Sequence, residues 1–290
     1  MGGTAARRVE LVRHEEPGVR WELAKAPPHP ALAGLVREYS GYVESAASPI
    51  VRRELPTTDV PLIINLGGAW GMVDVDGGEP EVHDSFVAGF HDTFARLQAT
   101  GPAHCLQVDF TPVGAYRFLG QPMHLLAGSV EDLDAVMGGE AAGIGERLKG
   151  AADWAAAFDL LDAFILERIE RHRAASRAVR WAWQRLQDAG GALSIADLSA
   201  ELGWSRKHLR ARFREEVGAT AKIIAQVLRF NRVLEHIQHA DDEGGMAALA
   251  LGCGYADQAH MSREFRRFAG LTPREYRRIV PPDGVGIVES

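Results

Sequence analysis

Two stretches of this chain repeat one another, and any fold it adopts has to accommodate both. They are WSRKHLRARFREEVGAT at residues 204–220 and YADQAHMSREFRRFAGLT at residues 255–272. At an offset of 52 positions Ser205 corresponds to Asp257, Leu209 to Met261, Phe213 to Phe265, Arg214 to Arg266, Gly218 to Gly270 and Thr220 to Thr272. Gly203-Trp204 and Gly254-Tyr255 correspond at an offset of 51, so the second turn is one residue longer. In each copy a Ser or Asp stands where it can cap a helix by accepting its free amides. Apolar residues at i and i+4 then mark the inward face. Ahead of the first copy, Ser194 precedes IADLSAEL with Asp197 three positions on, the pattern of a capping box. Gly203 permits a tight turn before Ser205. The unit is helix, turn, helix, and a second copy follows. Two copies make a pair rather than a solenoid.

Between the copies, residues 221–238 (AKIIAQVLRFNRVLEHIQ) place Ile224, Leu228, Val233 and Leu234 among their apolar positions. As one helix this stretch would be about 27 Å long at about 1.5 Å per residue. A strut of that length would let two second helices reach successive major grooves, which recur about every 34 Å along one face of a duplex.

Charge is distributed in keeping with this. The chain of 290 residues carries −7 overall, yet residues 177–280 hold 17 Lys and Arg against 12 Asp and Glu, a balance of +5. The remainder is at −12, so a basic module is joined to an acidic one. The length suggests two domains. The short, charged RHRAASRA at residues 171–178 suggests a boundary, as linker or continuous helix, giving domains 1–175 and 176–290. Cys105 and Cys253 lie far apart without CxxC spacing, so a disulfide framework or zinc finger is not indicated and both are expected to be buried. No run approaches the roughly 18 apolar residues of a membrane helix, and residues 1–13 lack a secretory apolar core. A cytoplasmic protein is expected.

The first module reads differently. VPLIINL (residues 60–66), GMVDVDGGEPEV (71–82, with an Asp-Gly-Gly turn) and the alternating AHCLQVDF (103–110) fit an antiparallel sheet. Past Pro112 come the short helical pieces PVGAYRFLG, EDLDAVMG and IGERLKG. Residues 154–173 then space Trp154, Phe158, Leu161, Phe164, Ile165 and Ile169 as one helix. The expected fold is an α+β N-terminal domain, antiparallel sheet plus helices, followed by an all-α domain of two helix-turn-helix motifs joined by a linker helix. In the latter, Trp181, Trp183, Trp204 and Tyr255 are expected to pack in the core.

The residues 205–213 (SRKHLRARF), Gly218, Arg229, Arg232, Gly254-Tyr255, Asp257-Gln258, Phe265, Gly270-Leu271-Thr272-Pro273 and Tyr276-Arg277 together resemble the double helix-turn-helix domain of AraC-family transcription regulators. The likeness covers about a hundred residues. Ala221 stands where that family often has proline and Met261 replaces its usual aromatic residue; both keep the helix or its apolar contact.

What the resemblance implies is sequence-specific binding of double-stranded DNA, each unit entering a major groove. Arg and Lys donate to guanine O6 and N7 and Gln pairs with adenine. The family pattern thereby nominates Lys207, Arg210, Gln258 and Arg263 for reading bases. Ser205, Arg206, Arg212, Arg214, Arg266 and Arg267 are nominated for phosphate contacts, which fix position and register. The resemblance further implies an N-terminal domain that binds a small-molecule effector or a second copy, and RNA polymerase as a partner where such a protein activates. Asn65, Trp70, His91, Gln107 and Asp109 are the candidates for lining an effector pocket. Sequence does not separate ligand sensing from dimerisation, nor activation from repression.

The rival reading is a β-barrel metal-dependent enzyme using His83, His91, His104, Cys105 and Asp109. Such chemistry needs two or three converging ligands and an open position. The sequence offers no His-x-His, HExxH, GxSxG or phosphate-binding glycine loop. No enzyme activity, cofactor, metal or membrane partner is expected.

Overall fold

The computed structural model describes residues 7–16, 18–46, 51–67, 70–73, 81–99, 102–239, 245–280 and 287–289. The first part of the chain builds two antiparallel sheets. Strands β1 (Glu10–Glu16), β2 (Val19–Ala26), β3 (Val36–Ala46), β4 (Val51–Glu54), β5 (Val60–Gly67), β6 (Trp70–Val73), β7 (Glu81–His83), β8 (Phe86–Ala88), β9 (Ala95–Ala99), β10 (Ala103–Phe110) and β11 (Val130–Asp132) come from it, and β12 (Ile287–Glu289) from far downstream. One sheet runs β1-β2-β3-β10-β5-β8-β11 and the other β12-β4-β9-β6-β7.

β10 shows why the larger sheet has two unlike faces. Leu106, Val108 and Phe110 point one way, into a cluster with Phe118, Phe158, Phe164 and Ile144 of the covering helices. Ala103 and Cys105 point the other way and join Ile63 and Phe86 in a smaller cluster. The covering helices are α1 (Pro112–Leu119), α2 (Leu133–Met137), α3 (Gly139–Lys149) and α4 (Trp154–Arg171). Thr111 starts α1 by accepting the Gly114 amide, and Gly120 ends it in the left-handed region.

The second part is helical: α5 (Arg177–Asp188), α6 (Ile195–Glu201), α7 (Arg206–Val217), α8 (Ala221–His236), α9 (Gly245–Gly252), α10 (Gln258–Ala269) and α11 (Pro273–Ile279). Its core gathers Val179, Leu198, Leu209, Phe213, Ile224, Phe230, Met261, Phe265 and Phe268. Phe90 and Val113 of the first part belong to that same cluster, so the two parts share apolar packing.

The α+β first part and helical second part agree with the sequence expectation, and both cysteines are buried and free. Several details differ. Strands β1 to β3 precede the region where strands were expected, because β1 (ELVRHEE) is an exposed edge strand whose charges hide the strand period. The long helix stops at Arg171 and residues 172–176 are not helical, so no continuous helix runs through the segment. The linker helix ends at His236 and continues as a 3-10 turn, Ile237–His239. Ser194 caps α6, but the full capping box forms at Thr272 and Glu275 instead. Asp197 is one methylene shorter than the Glu or Gln that reaches back in such a box. Trp181 is 39% exposed, with Arg185 over its ring at 5.8 Å, and is not a core residue. The Asp-Gly-Gly turn at residues 76–78 lies outside the described residues.

Candidate nucleic-acid interface

Both repeats fold alike down to their caps. In the first, Gly203 turns the chain at φ +64° and the Ser205 side chain accepts the His208 amide at 3.2 Å. In the second, Gly254 turns at φ +82° and Asp257 accepts the His260 amide at 2.6 Å. Each turn also presents an aromatic ring edge-on to that histidine. Trp204 and His208 stand 4.5 Å apart at 87°, Tyr255 and His260 5.2 Å apart at 84°. His208 and His260, also 52 positions apart, thus have the same packing role in each copy.

With Leu209, Phe213 and Val217 buried, α7 leaves Ser205, Arg206, Lys207, Arg210 and Arg214 exposed. Successive residues advance by about 100°, so Lys207, Arg210 and Arg214 share one face. In α10, Met261, Phe265 and Phe268 are buried while Gln258, Arg263, Arg266 and Arg267 are exposed. Arg263 and Arg266 stand less than one turn apart on the face equivalent to that of Arg214, with Arg263 nearer the helix start. Arg212 stands apart from this set. It is half-buried and paired within its own helix to Glu215 at 2.7 Å and to Glu216. Glu216 in turn accepts the Ser176 amide at 2.5 Å, tying α7 to the linker between the two parts.

A network that sequence reasoning left without a role locks the two units together. Arg229 of α8 donates to the Gly191 carbonyl at 2.9 Å, pairs with Glu264 of α10 at 3.4 Å and lies 5.3 Å over Tyr255. Gln226, one turn earlier, donates to Glu264 at 2.5 Å. Arg232 reaches the Gly252 carbonyl at 3.1 Å. One signal was available: Glu264 is a carboxylate beside Phe265 on a helix whose other charges are basic.

Three of the N-terminal candidates share one face of the larger sheet: Asn65 stands opposite Cys105, and Gln107 and Asp109 follow Cys105 on the same face of β10. Asn65 is buried on β5 and donates to Asp84 at 2.7 Å. Gln107 donates to Asp109 on the same strand at 2.7 Å. His91 contacts the Gly89 carbonyl at 2.6 Å. Trp70 sits in β6, with its side chain outside the described residues. Burial, together with nearby Asp59 and Glu38, raises the Asp109 carboxyl to about 6 despite the Gln107 bond. Burial also pushes the Cys105 thiol up to about 12. The residues weighed as metal ligands are dispersed: His83 pairs with Asp132, His104 stacks edge-on against Trp154, and among the described residues no three potential ligands come together. A polar cleft of about 640 Å³ opens elsewhere, between the two parts. Arg37, Thr58 and Asp59 line one wall and Gln187, Asn231 and Glu235 the other. No helix among the described residues is long and apolar enough to cross a membrane.

A pair of capped helix-turn-helix units on a shared strut, each showing exposed basic residues along its second helix, defines a class of DNA-binding domain. Residues 198–279 match the family model described as Helix-turn-helix domain, and residues 24–132 match Domain of unknown function (DUF6597). The C-terminal part of the chain is an AraC-family helix-turn-helix DNA-binding domain. Over 85 residues it is 29% identical to an uncharacterized HTH-type transcriptional regulator of Staphylococcus aureus, a match covering 29% of this chain and 11% of that protein. Over 90 residues it is 29% identical to an HTH-type transcriptional regulator of Mycobacterium tuberculosis, covering 31% of this chain and 34% of that one. The chain therefore spans only a tenth to a third of these relatives' own lengths. Among solved structures, ToxT from Vibrio cholerae aligns with a TM-score of 0.45 at 10% identity, covering 90% of this chain and 98% of that chain. The C-terminal domain of AraT from Geobacillus stearothermophilus aligns with a TM-score of 0.34 at 23% identity, covering 38% and 93%.

Proposed function

We propose that this protein is a sequence-specific DNA-binding transcription regulator in which α7 and α10 each enter a major groove. The observation that carries the reading is the doubled unit: the same cap, turn, buried face and exposed basic residues occur twice, with Arg229 and Glu264 fixing one copy against the other. Lys207 and Arg210 in the first unit, and Gln258 and Arg263 in the second, lie in the N-terminal half of their helices, the part that meets base edges in such motifs. Arg214, Arg266 and Arg267 lie further along, where phosphate contact fixes register. Ser205 and Arg206 sit at the helix start with their polar groups toward solvent. Arg212 would have to leave Glu215 and Glu216 to reach phosphate.

Substitution separates the two roles. Arg263→Ala should weaken binding to the preferred site by about 1–3 kcal/mol and relax preference at one base position, whereas Arg266→Ala should weaken all sequences about equally. Indistinguishable base preferences in the two variants would dissolve the division. The N-terminal part is read as the controlling domain, acting by linkage: whatever favours one arrangement of the two parts alters how the units meet DNA. The cleft between the parts supports a small-molecule effector, because a ligand there would touch β-domain loops and the strut α8 at once. Ligand-induced thermal stabilisation tests that half, since a molecule bound only by the folded state raises apparent stability by mass action.

A further inference from the structure

Past α11 the chain returns to the N-terminal part. β12 pairs antiparallel with β4, Ile287 opposite Arg53 and Glu289 opposite Val51, and so forms the outer strand of the second sheet. Ile287 is only 4% exposed and belongs to the apolar core of the helical part, the cluster that holds Leu209 and Phe213 of α7 as well as Phe265 and Phe268 of α10. Its partner strand β4 holds the end of α10. Arg53 donates to the carbonyl of Ala269, the last residue of α10, at 2.8 Å, and its guanidinium lies 4.3 Å over Phe94. The Phe94 ring fills the space beside Gly270, where a Cβ would stand 2.5 Å away at a backbone φ of +71°. One joint therefore brings together β12, β4 and the C-terminal end of the second recognition helix. The first unit is held differently. There the end of α7 meets α1 and the turn Met123–Leu125, with Gly218 close to the Met123 carbonyl.

We infer that β12 is a strap that holds the second helix-turn-helix unit on the N-terminal sheet and thereby presets the position of α10 relative to α7. A strand added to a sheet edge is held mainly by main-chain hydrogen bonds. Three residues supply few of them, so the strap opens at low cost. Only residues 280–286 lie between α11 and β12, so its effective concentration at the β4 edge is high and it closes again readily. The strap bears on the second unit more than on the first, because β4 bonds the end of α10 whereas the end of α7 meets α1 and the turn Met123–Leu125.

Hydrogen exchange on the free protein tests this without DNA, comparing the chain with Ile287→Asp, with Ile287→Val and with a variant lacking residues 281–290. Ile287→Asp and the deletion should speed exchange in β4 and in α10 to α11 while leaving α7 unchanged; Ile287→Val should match the parent. Equal protection of β4 and α10 in all four proteins, or equal loss in α7 and α10, would overturn the strap. The second arm rests on the DNA-binding reading proposed above. On a site with two half-elements, loss of the preset geometry should lower affinity about tenfold and remove footprint protection over the half read by α10 only. A rise in affinity would make the strap a restraint on binding and overturn its presetting role. If the parent protein prefers no DNA sequence, the functional reading fails while the exchange result still decides the strap.

Discussion

At the scale of single residues, the second unit depends on a buried charge pair. Glu264 is 8% exposed, and Arg229 is the guanidinium that meets it. Removing one member of such a pair leaves an uncompensated buried charge, and Arg229→Ala is expected to cost about 3–5 kcal/mol. Arg229→Lys should recover only part of this, since an ammonium does not reproduce the planar fork that serves Glu264 and the Gly191 carbonyl together. Thermal unfolding of the two variants checks both. Asp109 behaves in the opposite sense. Its carboxyl is raised from 3.8 to about 6, so the folded chain holds the proton more tightly than the unfolded one. Stability from this group is therefore lost as pH rises between those two values and stays lost above. Asp109→Asn should stabilise the protein at pH 7.5 by on the order of 1 kcal/mol, the group being partly exposed, with the gain vanishing below about pH 4. A gain that persists undiminished in acid would assign the effect to packing instead.

At the scale of elements, the recognition helices hang on their caps. Ser205→Ala and Asp257→Ala should each cost about 1 kcal/mol in stability. Because each cap orders the turn that carries the nominated base readers, DNA affinity should fall by more than stability does. Titration with a DNA site beside chemical denaturation would show whether the two losses separate. The same elements mark what was legible beforehand. The doubled motif could be read because caps, apolar spacing and turns all recur at one offset, so each copy checks the other. The sheet was partly legible: β5 and β10 carry apolar or alternating runs, whereas β1 is exposed on both faces and shows no period. The N-terminal candidates Asn65, Gln107 and Asp109 could be named as polar residues on strands, but which strand face they share depends on register. Trp181 is expected in the core yet faces outward, because Val179, Ala182, Trp183 and Leu186 form the buried side of α5. Arg53 could not have been found, since its partner lies 216 residues away.

At the scale of the whole molecule, an acidic α+β part docks against a basic helical one through shared apolar packing, the Arg53 joint, and an Asn231 amide that donates to the Pro56 carbonyl at 2.9 Å. Both recognition helices meet the N-terminal part toward their C-terminal ends, which leaves their N-terminal halves turned to solvent. Under the proposed reading, control by the N-terminal part would act through this docking, by favouring one arrangement of the two parts over another. If both units read DNA, selection of bound sequences from a random duplex pool, at a stated salt concentration, recovers a site in two parts. The expected motif has two half-elements about one helical turn apart, with Lys207→Ala and Arg210→Ala degrading one half and Arg263→Ala the other. A single compact element untouched by substitutions in one of the units, or no enrichment at all, would contradict it.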